Sequence, residues 1–172
     1  VGMAAGRSRR WDALLSPFLY IFYSIPKVVF LPVIIVVLGL GDFPKIFIIA
    51  ITVFFQIAIM VRDAAKAIPE EQVMTMRSLC GTKWQDFRHL IWPACLPGIL
   101  TALRTSLGIS LALLFITETF AAFSGLGYFI MNRMEVRNYE EMYAAILTLA
   151  AIGIIAYMAL DIAERKLCPW KK

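Results

Sequence analysis

The chain alternates long apolar runs with compact charged intervals. The apolar runs cover about residues 16–40, 45–61, 97–120 and 142–160. A membrane-spanning helix needs about 20 mostly apolar residues, so four spans are predicted. The first run holds Pro17, Pro26, Lys27 and Pro32. Each proline removes a backbone donor and disfavours helix at the residue before it. A broken or kinked helix is predicted there, with a short interfacial piece before Pro26. Irregular backbone at membrane depth is tolerated only against protein or a water-filled cavity. Lys27 is expected to snorkel to the interface. The turn Gly39-Leu40-Gly41-Asp42-Phe43-Pro44 is short and makes the next helix antiparallel. Arg62, Asp63 and Lys66 mark that helix's exit into water. Residues 121–141 read as a turn around Ser124-Gly125-Leu126-Gly127-Tyr128, then a short apolar piece and polar residues.

Between the second and third runs, residues 70–97 read EEQVMTMRSLCGTKWQDFRHLIWPACLP. Pro69 suits a first helical turn, and Glu70 and Glu71 complement the positive end of the helix dipole. Val73, Met76 and Leu79 or Cys80 recur at helical spacing and predict one apolar face. Cys80-Gly81-Thr82 is the expected stop. Trp84, Phe87, Leu90 and Ile91 predict a second amphipathic turn, and Trp84 and Trp92 suit a membrane interface. A proline-broken return into the bilayer is expected at Pro93 and Pro97. The helix is expected to lie roughly parallel to the membrane, its methionine-rich apolar surface turned to the cytoplasm or back against the bundle. It either only lies on lipid or offers an adaptable surface to a partner.

Composition sharpens this reading. The chain is 60% hydrophobic over 172 residues, with a mean hydropathy of +0.76, against about 45–50% apolar in soluble domains. The net charge of +5 is assigned to topology rather than to nucleic acid. With the 62–92 loop and both ends on the cytoplasmic side, Arg7, Arg9, Arg10, Arg62, Lys66, Arg77, Lys83, Arg88, Arg165, Lys166, Lys171 and Lys172 lie inside. Only Lys45, Arg133 and Arg137 lie outside, which is the asymmetry the positive-inside rule requires. Three cysteines (Cys80, Cys95 and Cys168) without a CxxC, and the single histidine His89, predict no metal site and no disulfide framework.

The loop and its flanks resemble the membrane subunits of ABC importers, the binding-protein-dependent permease family. That family carries a cytoplasmic Glu-Ala-Ala signature, followed at fixed spacing by Gly, Ile and Leu-Pro. The register places Met74-Thr75-Met76 at Glu-Ala-Ala, Cys80 at the Gly, Leu90 at the Ile and Trp92-Pro93 at Leu-Pro; only the proline is identical. The surroundings are closer. Arg77-Ser78-Leu79, Lys83-Trp84-Gln85, Phe87-Arg88-His89, the run from Pro93 to Leu100 and Leu103-Arg104 look like the nitrate/sulfonate/taurine branch. So do Ser24-Ile25-Pro26, Leu38-Gly39-Leu40-Gly41 and Gly125-Leu126-Gly127-Tyr128.

The resemblance implies an all-α, polytopic membrane helix bundle with a cytoplasmic coupling helix. It implies a single permease domain over residues 1–172, lacking one or two N-terminal spans, in the cell inner membrane. It also implies a second permease copy, separate ATPase subunits that use ATP and Mg, an extracytoplasmic solute-binding protein, and no cofactor held by this chain. Glu70, Glu71, Val73, Met74, Thr75, Met76, Arg77, Leu79, Cys80 and Gly81 are the implied ATPase-coupling residues. Glu70, Glu71 and Arg77 would supply rim charge, and Met74, Met76 and Leu79 the apolar centre. No GxxxxGK[ST] is present, so phosphate is not cradled here.

Gln56, Arg104 and Glu118 lie in or near spans, where ionisable groups are costly and turn inward. They are candidate pathway residues. Arg104 and Glu118 cannot pair on one helix, because 14 residues at about 1.5 Å each separate them by roughly 20 Å. Gly98, Ala102, Ser106, Gly108 and Ser110 form a small-residue stripe that suits either a dimer or packing within the chain. Two other classes compete with transport: a membrane scaffold that no longer transports, and an integral-membrane lipid-modifying enzyme. The enzyme would need a convergent catalytic constellation, and scattered carboxylates with one histidine do not supply it.

Overall fold

The structure, a computed structural model, describes residues 1–7, 9–78 and 82–171, and the described chain is helical throughout. Its elements are α1 (Gly2–Arg7), α2 (Arg9–Ser24), a 3-10 turn (Lys27–Phe30), α3 (Leu31–Leu38), α4 (Asp42–Lys66) and α5 (Glu70–Ser78). Then come α6 (Lys83–Asp86), a π-helical turn (Phe87–Ile91), α7 (Trp92–Ala121), α8 (Leu126–Glu135), α9 (Tyr139–Leu167) and a 3-10 turn (Pro169–Lys171). Among the described residues, three stretches are long and apolar enough to cross a membrane: Asp42–Lys66, Trp84–Phe120 and Tyr139–Leu167. A fourth forms if the broken pair Arg10–Ser24 and Lys27–Leu38 is one span.

The prolines act selectively. The break falls at Pro26, where the backbone turns extended. Pro17 stays inside α2, and Pro32 sits in the first turn of α3, where a missing N–H is harmless. The helix ahead of this break, α2, starts at Arg9, well before the apolar stretch, and meets the next at a bend of 69°. The return after α5 is not proline-broken. Helix runs from Lys83 to Ala121 through Pro93 and Pro97, so the third span begins well before residue 97. The π-turn explains the first passage. Trp92 N–H reaches back to the Phe87 carbonyl, and this wider turn accommodates the ring and absent donor of Pro93. Within 121–141, a ten-residue helix, α8, stands where only a short apolar piece was expected.

The chain forms two compact units. One comprises Val1–Ser24, Phe55–Arg104 and Leu160–Lys172, and the other Ile25–Phe54 and Thr105–Ala159. In the first unit, Ala65, Ile68 and Cys95 are buried together, and Met3, Val73, Leu90, Ile91 and Ile99 pack on them. Gly2 and Gly6, four apart on α1, let that helix lie directly on the α4 backbone. A Cβ at either would strike the carbonyl of Ala58 or Arg62, the close approach that small residues allow in membranes. Gly98 meets Ala64 in the same way.

In the second unit, Gly153 sits against Leu111. Ile48 and Thr117 are fully buried, and the Thr117 hydroxyl donates to the Leu114 carbonyl at 3.0 Å. The small-residue stripe divides accordingly. Gly98, Ala102 and Ser106 are used in packing within the chain, whereas Gly108 faces open space. Only 6% of the apolar window of α9 is buried, against 33% for α4. The last helix therefore offers nearly all of its apolar surface outward.

Candidate functional site

The candidate site is α5 with the two helices that lead into and out of it. Glu70 and Glu71 occupy its first turn, as the dipole favours, and the Gln72 N–H bonds the Pro69 carbonyl at 3.2 Å. Val73 is the root of the helix, packed on Ala65, Ile68 and Cys95. Ile68, just before the helix, is buried in the same cluster, so the α4–α5 joint is held by packing. Met76 is half-buried. Glu71, Met74, Thr75 and Ser78 are exposed, and their spacing places them along one face. The hydroxyls of Thr75 and Ser78 bond back to the carbonyls of Glu71 and Met74 at 2.8 and 3.0 Å.

Of the two placements expected for the apolar face, Val73 takes the one back against the bundle. The Val73/Met76 stripe faces the protein, and the free face carries one apolar side chain, Met74, among polar ones. The Arg77 side chain and residues Leu79, Cys80 and Gly81 lie outside the described part of the chain. Past α6, the rings of Trp84 and Phe87 stack at 5.8 Å, and Phe87 and Trp92 meet at 6.3 Å. Arg88 and His89 are exposed beside them.

The stems of α5 carry buried charge. Arg62 is buried, with its Nε donating to Asp12 Oδ1 at 2.6 Å and its NH1 to the Tyr20 hydroxyl at 2.9 Å and Asp63 at 2.8 Å. Its guanidinium also lies 5.5 Å from the Tyr20 ring centre. Lys66 reaches Asp12 Oδ2 at 3.1 Å, and Ser16 donates to Asp12 Oδ1 at 2.6 Å. Arg62 is thus a paired charge inside the protein, while Asp63 and Lys66 at the end of α4 stay exposed.

On the outgoing side, Arg104 of α7 meets Asp161 at 3.1 Å and Glu164 at 2.5 Å, both on α9. Asp161 also binds Arg165 at 2.9 Å. Asp12, Asp161 and Glu164 were not read as site residues from the sequence. The available signals were the cost of Arg104 in a span, which demands a carboxylate, and the spacing of Asp161 and Glu164 on one helical face.

The remaining candidate pathway residues stand in different settings. Gln56 is buried, and its amide oxygen has no hydrogen-bond partner among the described residues. Glu118 is buried, and its Oε2 accepts the Gly127 N–H at 2.7 Å, in the first turn of α8. A Cβ at Gly125 or Gly127 would collide with the Glu118 side chain, and Gly125 has a φ of +115°. Gly125 is thus favoured by its backbone angle and by the carboxylate that caps α8, and Gly127 by that side chain together with the Phe115 carbonyl. Among the described residues, no group of three His, Cys, Asp or Glu side chains converges to hold a metal.

Comparison with known proteins matches residues 1–169 to the family of binding-protein-dependent transport system inner membrane components. The chain is 29% identical to the taurine transport system permease protein of Escherichia coli. It is 30% identical to a putative aliphatic sulfonates transport permease protein of Bacillus subtilis. Each match covers 99% of this chain and 62% of the relative, so the chain spans less than two thirds of their length. Its fold is that of a chain of the MetNI methionine ABC transporter in an inward-facing conformation. There the TM-score is 0.79 at 22% identity, over 97% of this chain and 86% of that one. The chain belongs to this family of inner membrane transport components.

Proposed function

From that membership we propose that the chain is the transmembrane permease subunit of an ATP-driven importer. It pairs with a second permease copy and works with separate ATPase subunits and an extracytoplasmic solute-binding protein. The observation that carries this reading is α5. A short helix rooted through Val73, with Glu71, Met74, Thr75 and Ser78 free along one face, suits docking into a groove on a soluble subunit. A rooted helix transmits rigid-body movement that a loose loop would absorb. In this reading the free face, rather than the Val73/Met76 stripe, meets the ATPase. ATP and Mg are used there and not by this chain. The excess of Lys and Arg supports a cytoplasmic side for α5 and both ends.

The solute is proposed to be a small anion of the sulfonate, taurine or nitrate kind, in line with the names of the relatives. Of the membrane polar residues, Gln56 supports a pathway role best, because its buried amide oxygen retains unused hydrogen-bonding capacity. Arg104 and Glu118 would act by holding the helices that shape the pathway.

The test is co-purification of the ATPase subunit with the assembled permease, alongside ATP-driven uptake of taurine. Met74→Asp and Glu71→Lys are expected to lower both by about tenfold, the scale of losing central contacts in an interface. If no ATPase accompanies the unaltered chain, or both substitutions leave association and uptake unchanged, the proposal fails.

A further inference from the structure

The stems on the two sides of α5 are each tied by ions to another helix of the same unit. The incoming stem, α4, is tied to α2 through Asp12, which binds Arg62 and Lys66. The outgoing stem, α7, is tied to α9 through Arg104, which binds Asp161 and Glu164. Apolar contacts would hold these helices together as well or better, since buried ion pairs return little net stability against a well-packed hydrophobic replacement. What ions add is direction. Arg62 is fixed at once by Asp12, Tyr20 and Asp63. It cannot slide by a turn without leaving a buried charge unpaired. Arg104 bridges two carboxylates three residues apart on α9, which fixes that helix in rotation and height together. The α2–α4 contact has a second anchor higher on the same pair, where Phe22 and Phe55 stack at 5.4 Å with ring planes 13° apart. Two separated anchors prevent pivoting.

The geometry points to Asp12–Arg62–Lys66 and Arg104–Asp161–Glu164 as positioning residues that make α2 and α9 follow the stems of α5. Displacement imposed on α5 then reaches helices on both sides instead of being lost by sliding at their contacts. This rests on the reading of α5 as the coupling helix.

The experiment uses the assembled transporter with its ATPase, and spin labels at exposed positions: Leu14 of α2 with Gln72 of α5, off the face proposed to dock, and Ile162 of α9 with Gln72. Distances are compared between nucleotide-free and ATP–vanadate states. In the unaltered transporter each distance is expected to hold within about 2 Å between states, the scale of ordinary helix shifts. With Asp12→Asn the first distance becomes state-dependent while the second holds. With Arg104→Gln the second changes while the first holds. Should either variant fail to assemble, Asp12→Glu or Arg104→Lys keeps the charge while changing its reach, and is expected to give the same state dependence in weaker form. Distances that already differ between states in the unaltered protein, or variants that leave both distances constant, overturn the inference. Absence of an ATPase from the purified complex would instead overturn the reading of α5 itself.

Discussion

The two units neutralise buried charge in opposite ways. In the unit that carries α5, Asp12 meets Arg62 and Lys66 across 50 and 54 residues of chain, and Arg104 meets Asp161 and Glu164 across 57 and 60. In the other unit, Glu118 turns to the backbone N–H of Gly127, nine residues away. The first arrangement locks one helix to another. The second locks a turn to its own helix and says nothing about distant partners. The unit with long-range ion sets is the one that holds the segment proposed to receive an outside push. The unit with the local cap leaves its last helix clothed in outward apolar surface. Charge in a membrane chain is therefore not by itself a mark of a pathway, since the same residue types serve as joints.

The largest expected effect comes from removing one side of a joint. Arg104→Met removes the guanidinium shared by Asp161 and Glu164, leaving Asp161 with Arg165 only, and is expected to cost about 3 kcal/mol. The measurement is the unfolding midpoint of the purified protein in detergent. Adding Asp161→Asn and Glu164→Gln to the same variant should recover most of that loss, because no uncompensated charge remains. If Arg104→Met alone is neutral, the contrast between the units collapses.

The local cap should answer differently. Gly125→Ala puts a methyl into the Glu118 carboxylate at a backbone angle that L-residues avoid, with an expected cost of about 2 kcal/mol. Glu118→Ala alone is expected to cost about 1–2 kcal/mol, by freeing a buried N–H. The double variant should cost less than the sum, because removing the carboxylate opens room for the methyl. Strict additivity in the same detergent assay would mean that the glycines are not there for Glu118.

How much of this was legible follows from sequence range. The apolar runs, the break at Pro26 and the existence of α5 depend on local pattern, and each was readable. The start of α2, the continuity of helix through Pro93 and the extent of α8 were not. Each depends on something local propensity does not carry: ion partners far along the chain, a π-turn ahead of a proline, and a cap supplied by Glu118. Which way α5 turns its apolar face stays open in the sequence for a related reason. Periodicity identified its apolar face correctly as a face, but an apolar stripe marks whichever surface is buried first, and here that is the surface against Ala65, Ile68 and Cys95.

The two faces of α5 supply the finest test. If α5 has a rooted face and a free face, two neighbouring substitutions must separate. Val73→Ala removes two methyl groups from a packed site and is expected to cost about 1–1.5 kcal/mol. Met74→Ala trims a side chain that is 61% exposed and should stay within about 0.5 kcal/mol. Hydrogen exchange of the α5 amides reads both directly. Protection should fall in Val73→Ala and hold in Met74→Ala, even where Met74→Ala weakens association with an ATPase. Equal loss of protection in the two would mean that α5 is gripped on both sides within the chain. It would then have no surface left to offer a partner, and the distinction between a unit built to be pushed and a unit built to hold its own turn would lose its physical basis.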